Sequence, residues 1–278
     1  MPETTLYPPP RPLSVGEVLD LAFRIYRRTF VKCLVFGGLI VVTRWLPYAY
    51  LMLRGQTVAQ SMLKPALSAG YVITALVSTV LAFLFPVAII CRQYRIVTGQ
   101  AVGGEFLFAL KLLGRVVLII ILLALVGAAC GLFLIPAAAV TGVARIIALV
   151  VLLLPMGYVF LRLASAFTAM VVEDTGASDS LARSWQLAGG NVLRLVAIYT
   201  VAAFLLMVLY IVIGSLTAFL GAVLGRGDVA LITATIGVVT VAAGALASPY
   251  YSALGLAVFG DLLVRKEGAD LSQRIGAV

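Results

Sequence analysis

The sequence predicts an all-α integral membrane protein, and three observations carry that prediction. Mean hydropathy is +1.15 and charged residues make up only 11% of the 278 positions, whereas a soluble domain carries about a quarter. Six apolar runs take up most of the chain, each near the roughly 20 residues that a helix needs to cross about 30 Å of hydrocarbon. The 20 lysines and arginines fall unevenly around those runs, as the orientation of a multi-pass protein requires.

The elements follow in order. "MPETTLYPPPRP" is polar and proline-rich, unlike the basic start and short apolar core of a secretory signal, and residues 1–13 read as a flexible tail. Ser14 with Glu17 fits a capping box, in which each side chain satisfies a backbone donor of the other. Across residues 14–28, Val15, Val18, Leu19, Ala22, Ile25 and Tyr26 share one helical face. Glu17, Asp20, Arg24, Arg27 and Arg28 fall within roughly 100° on the opposite face. A helix so divided is expected to lie in the membrane interface, with Arg24, Arg27 and Arg28 toward the headgroups.

The spans are expected at about 30–53, 65–90, 116–135, 146–172, 192–216 and 229–263, followed by a tail at 264–278, all in one membrane domain. Pro47, Pro86 and Pro155 should bend their spans, and Pro249 should kink the last near Ala245–Tyr251, because proline lacks a backbone donor and clashes with the preceding turn. Residues after Pro249 either complete that span or run along the surface.

Orientation follows from the basic residues near the span ends. One side collects Arg11, Arg24, Arg27, Arg28, Lys32, Arg92, Arg95, Lys111, Arg115, Arg183, Arg194, Arg265, Lys266 and Arg274. The other has Arg54, Lys64, Arg145 and Arg226. Fourteen against four places both termini in the cytoplasm.

The opening device recurs. "ALKLLGRVV" (109–117) and "SWQLAGGNV" (184–192) align without gaps on "AFRIYRRTF" (22–30), each just before an odd-numbered span. Three repeats of an interfacial helix plus a transmembrane hairpin are therefore expected, related by an axis along the membrane normal. "GAACG" (127–131), Ala243 with Ala247, and Gly244 with Ser248 supply the small-residue spacing that lets helices approach closely.

Chemistry is sparse. Histidine is absent, which removes the commonest general base and metal ligand. Cys33, Cys91 and Cys130 have the spacing of neither a disulfide framework nor a metal site. No glycine-rich phosphate loop of the GxxxxGK[ST] type is present, and none of the eleven acids lies deep in a span, where a proton-coupled transporter usually buries one. Two arginines do sit within spans, a costly placement that marks a functional candidate. Arg44 either snorkels to the outer interface beside an aromatic belt of Trp45 and Tyr48 or lines a cavity. Arg162 either pairs with Glu173 or Asp174, reaches the headgroups, or lines that same cavity. In "EDTGASDSLARSW", Glu173 and Asp174 end span four, Gly176 turns the chain, and Ser178 or Asp179 caps the next helix. Arg183 and Trp185 should then anchor that helix at the interface. Gly268 should stop the last helix after Asp261 and Arg265. These acidic and basic segments are structural ends, an interlock beneath the bundle, or a docking surface.

Three stretches together carry a resemblance: "RPLSVGEVLDLAFRIYRR", "VVEDTGASDSLARSWQLAGGNVLRL" (171–195) and "FGDLLVRKEGADL" (259–271). In this order they are similar to bacterial multi-pass proteins of the glycerophosphoryl diester phosphodiesterase membrane-domain superfamily. The resemblance implies a six-span bundle in a bacterial cytoplasmic membrane. In fused members the phosphodiesterase activity belongs to a soluble barrel that uses histidines and metal-binding carboxylates, so no such hydrolysis is expected of these residues. One departure is Gly260, where aromatic residues commonly precede the "DL".

The expectation is thus a non-enzymatic inner-membrane protein without cofactor or metal. It would interact with membrane lipids, and with a protein partner or a second copy as open alternatives, through its cytoplasmic helices. The competing reading is a transporter or lipid-translocating permease, with a cavity lined by Arg44, Arg162 and tyrosines. Nucleic acid is not an expected partner, since a basic excess in a membrane protein is first a topology signal.

Overall fold

A computed structural model describes residues 7–56, 68–132, 141–225 and 229–276. All regular structure among them is helical: α1 (Val15–Leu53), α2 (Ala69–Val97), α3 (Glu105–Lys111), α4 (Leu113–Leu132), α5 (Val143–Leu163), α6 (Ala166–Val172), α7 (Ala177–Ala188), α8 (Val192–Gly225) and α9 (Val229–Gly276). Among the described residues, five helical stretches are long and apolar enough to cross a membrane: Val15–Leu53, Ala69–Val97, Leu153–Val172, Val192–Gly221 and Ala243–Gly268. A sixth arises if α3 and the start of α4, bent by 60°, count as one span.

The capping box forms as expected. The Glu17 amide donates to Ser14 Oγ at 3.3 Å and the Ser14 amide to Glu17 Oε2 at 2.6 Å. Those hydrogen bonds, with Arg11 beside the carboxylate, hold the Glu17 carboxyl down to about 2. The helix it opens differs from expectation. α1 runs unbroken from the cap to Leu53, and Val18, Leu21, Ala22 and Ile25 are sealed inside the protein rather than facing lipid. They pack on Leu254, Val258, Phe259 and Leu262 of α9. An apolar stripe takes whatever apolar surface is nearest, and here a second helix supplies it.

The three aligned segments share their inward positions. Ala22, Ala109 and Ser184 are buried, as are Ile25, Leu112 and Leu187. Their backbones diverge where the alignment sets Arg27-Arg28 against Gly114-Arg115 and Gly189-Gly190. The first copy lies inside one continuous helix, and the second spans the bend between α3 and α4. The third ends α7, and Gly190 adopts φ +80° before α8 begins. Glycine permits that left-handed break and arginine disfavours it.

Beyond Pro249, α9 is sealed against its neighbouring helices: Ala253, Leu254, Leu256, Ala257, Phe259 and Leu262 are almost wholly enclosed. The helix passes through Pro249 and on past Gly268, so neither the proline nor that glycine ends it. The Ser248 hydroxyl donates to Ala245 O at 3.3 Å, the carbonyl that the proline leaves without its helical N–H. Gln93, fully buried on α2, donates from Nε2 to Pro249 O at 2.8 Å and to Thr29 Oγ1 at 3.3 Å. Gly37 of α1 lies so close to Ala245 O that a Cβ there would collide with it. Close approach of small residues drives helix pairing where lipid is as apolar as the side chains.

The N-terminal tail is not loose over the residues described. Tyr7 is buried edge-on to Tyr94, with ring centroids 5.7 Å apart, and it covers Gly260. A Cβ at Gly260 would stand 2.6 Å from the Tyr7 ring. An aromatic ring from the tail thus fills the space that a side chain at position 260 would need.

Candidate functional site

Two regions gather the chemistry. The first is an ionic layer joining the tail to α2, α3, α6, α7, α8 and α9. At its centre the Asp261 carboxylate, 1% exposed, takes three partners. Arg194 donates from Nη2 at 3.0 Å, Arg265 from Nε at 3.0 Å, and the Leu13 amide at 2.7 Å. Arg265 Nη2 also donates to Leu13 O at 2.6 Å, and Arg194 Nη2 to the same carbonyl. One carboxylate and one backbone residue are thus gripped by two guanidinium forks, the planar geometry for which arginine is suited.

Around this hub stand two further clamps. Arg183 donates to Glu173 from Nε at 3.0 and 3.1 Å and to Glu267 from Nη2 at 2.7 Å, tying α6, α7 and α9 together. The two carboxylates raise its pKa against the effect of burial. Arg92 bridges α1 to α3, donating to Lys32 O at 2.5 Å and Glu105 Oε2 at 2.9 Å while lying 4.7 Å over the Phe36 ring. Burial pushes the Glu105 carboxyl up. Arg92 and the backbone N–H groups of Glu105 and Gly103 outweigh that and hold it below its ordinary value.

Several site expectations change. Arg162 pairs with neither Glu173 nor Asp174. It stacks 3.9 Å over the Trp185 ring and donates to Trp185 O at 2.8 Å and Tyr158 Oη at 3.0 Å. Asp174, at φ 48°, takes Arg115 instead, at 2.7 Å. The helix after it is capped by Gly176, not Ser178 or Asp179. Arg183 enters the interlock through Glu173 and Glu267, and Trp185 is 37% exposed. Arg24, Arg27 and Arg28 are exposed on α1. Lys64 and Arg226 lie outside the described residues.

The second region is a groove between α1, α8 and α9. Its upper part, about 370 Å³, is lined by Arg44, Trp45, Tyr210, Ser248 and Tyr251. Its lower part, about 250 Å³, is lined by Phe23, Tyr26, Leu205, Leu209 and Tyr250. Ala247 lines both. Arg44 therefore lines a cavity with tyrosines, whereas Arg162 lies elsewhere, held by Trp185 and Tyr158.

Sequence reasoning missed Arg92, Glu105, Arg115 and Arg194 as partners. Glu105 alone had a local signal, an acid opening a helix after Gly103-Gly104. The others meet partners 13 to 67 residues away, which no local pattern encodes.

No curated protein and no solved structure matches the chain. Residues 105–265 match the model of a Domain of unknown function (DUF7847), which runs from the Glu105 clamp to Arg265 of the Asp261 hub. That is more than half of the sequence, and the chain belongs to the DUF7847 family.

Proposed function

We propose that this is a non-enzymatic protein of a bacterial cytoplasmic membrane. It has six spans with both termini in the cytoplasm, and it works by engaging lipid through its basic inner face and its lateral groove. The observation that carries the reading is the use made of the buried acids. Asp261 and Glu105 are both held by arginines and backbone amides, which makes them structural anchors rather than acid–base groups. The polar layer lies on the side where the sequence gathers its basic excess, in keeping with cytoplasmic termini. The equivalent inward positions of the three aligned segments support a threefold repeat. The resemblance to the glycerophosphoryl diester phosphodiesterase membrane domain is retained within this proposal, for architecture and not for hydrolysis.

Arg24 and Arg27, exposed beside the aromatic residues Phe23, Tyr26 and Phe30, suit an anionic inner leaflet, where each basic residue near the surface contributes about 1 kcal/mol of attraction. Phe106, Leu107 and Leu110 of α3 are exposed beside Lys111 and complete an amphipathic edge. The test is twofold. An impermeant thiol reagent should label Arg24→Cys and Lys266→Cys from the cytoplasmic side and Gly55→Cys from the other. The chain purified in its native lipid should be enriched in anionic species, and Arg24→Ala/Arg27→Ala should lose that enrichment. Opposite labelling of positions 24 and 266 overturns the topology, and unchanged lipid composition overturns the engagement.

The permease reading is favoured by one observation, the groove that reaches from the Phe23 level to Arg44. It predicts lipid or solute flux across sealed vesicles containing the protein.

A further inference from the structure

Arg44 stands out among the arginines. Those of the ionic layer each hold a carboxylate or carbonyl, whereas Arg44 has no hydrogen-bond or ion-pair partner among the described residues. Its depth makes this costly. Arg92 ties α2 to Lys32 near the polar layer, and Arg44 lies twelve residues further along α1, about 18 Å at 1.5 Å per residue. Leu53, the end of the helix, is about 14 Å beyond. Across roughly 30 Å of hydrocarbon, with Lys32 taken at its inner edge, that puts the Arg44 backbone past the midplane. An ionisable side chain at such depth is expensive and marks a site unless it is neutralised.

Its surroundings have the character of one ligand. Beside Arg44 the groove carries Ser248, Tyr210, Tyr251 and Trp45, which are donors and amphipathic rings. A neighbouring pocket, which shares Ala247 with it, is a slot of leucines and aromatics. One end of the groove therefore offers a fork for a phosphate and the other an apolar slot bordered by Leu205, Leu209 and Tyr250.

We propose that this groove binds one anionic phospholipid, its phosphate on Arg44 and an acyl chain along Leu205, Leu209 and Tyr250. Charge complementarity selects the occupant. A guanidinium is satisfied best by a doubly hydrogen-bonded phosphate oxygen pair, and an anionic headgroup brings that phosphate without the internal cation with which phosphatidylcholine already neutralises it. The proposal deepens the lipid-engaging reading and relies on the proposed topology only to assign the lipid to the outer leaflet.

The experiment uses the full-length chain in lipid discs offering equal phosphatidylglycerol and phosphatidylcholine, with the lipids that stay bound after transfer to detergent counted by native mass spectrometry. The expected result is one phosphatidylglycerol retained per chain, lowered at least tenfold in Arg44→Gln and less severely in Arg44→Lys, which keeps the charge but loses the fork. Leu205→Trp, at a position 47% exposed where the larger ring is tolerated, should block the slot and lower retention with Arg44 intact. Arg24→Gln/Arg27→Gln should keep the single lipid while losing bulk anionic enrichment, which separates this site from the inner-face reading. Undiminished retention in Arg44→Gln overturns the proposal, as does equal retention of the two lipids or retention of neither. Displacement by millimolar inorganic phosphate alone would also overturn it, because the acyl slot would then contribute nothing.

Discussion

Replacing Asp261 perturbs the greatest number of connections at once. Its carboxylate is 1% exposed, while the Arg194 and Arg265 side chains are 20% and 27% exposed. Asp261→Asn keeps the shape but removes the charge that two guanidinium groups share, and it leaves the Leu13 amide facing a weaker acceptor. Charge-assisted hydrogen bonds contribute about 1.5–3 kcal/mol each, and removing one partner of a buried pair costs about 3–5 kcal/mol. Because both arginines can turn partly to water, the lower end, about 3 kcal/mol, is expected. The assay is reversible denaturant unfolding in mixed micelles, with hydrogen exchange read at the Leu13 amide. Stability should fall by that amount and Leu13 should lose its protection, since Asp261 Oδ1 is its acceptor. In a double-mutant cycle, Asp261→Asn and Arg194→Gln should couple by at least 1 kcal/mol, because contacting charges do not add. Additive effects with unchanged exchange at Leu13 would show that the hub does not hold the tail.

Other outcomes follow from single contacts. Gly37→Ala should destabilise the bundle by about 1–3 kcal/mol through overpacking. Gly38→Ala, with nothing within 4 Å of its new methyl, should be neutral or stabilise by up to about 1 kcal/mol on helix propensity; paired thermal melts compare the two. Tyr7→Phe should match or exceed the parent in stability, since the Tyr7 hydroxyl is buried without a hydrogen-bond partner among the described residues, whereas Tyr7→Ala should cost about 3–5 kcal/mol as other aromatic truncations do. The Arg92–Glu105 clamp should be sensitive to acid. The folded-state pKa of Glu105 lies below its ordinary value of 4.5, so its contribution is complete above about pH 4.5 and is lost as pH falls through the folded value. Glu105→Gln should remove that segment of the pH–stability profile, and an unchanged acid limb would refute the assignment.

The sequence by itself determined what is set by composition and local period. Apolar runs of membrane length, the Ser14–Glu17 cap and the side on which basic residues gather are all readable from neighbours in the chain. So is the inward face of α1, because Val18, Ala22 and Ile25 recur at the helical period whatever covers them. What covers them was not readable: an interface with lipid and an interface with α9 demand the same stripe. Only the tertiary structure decided that choice, and with it the pairing of each arginine. Arg162 had two acids close by in sequence and took neither, because Trp185 of α7 offered a ring face and a carbonyl in better geometry. Tyr7 reached Gly260, and Leu13 reached Asp261, across almost the whole chain. Electrostatic and packing partners are chosen by distance in space, and a pattern read along the backbone contains no measure of it.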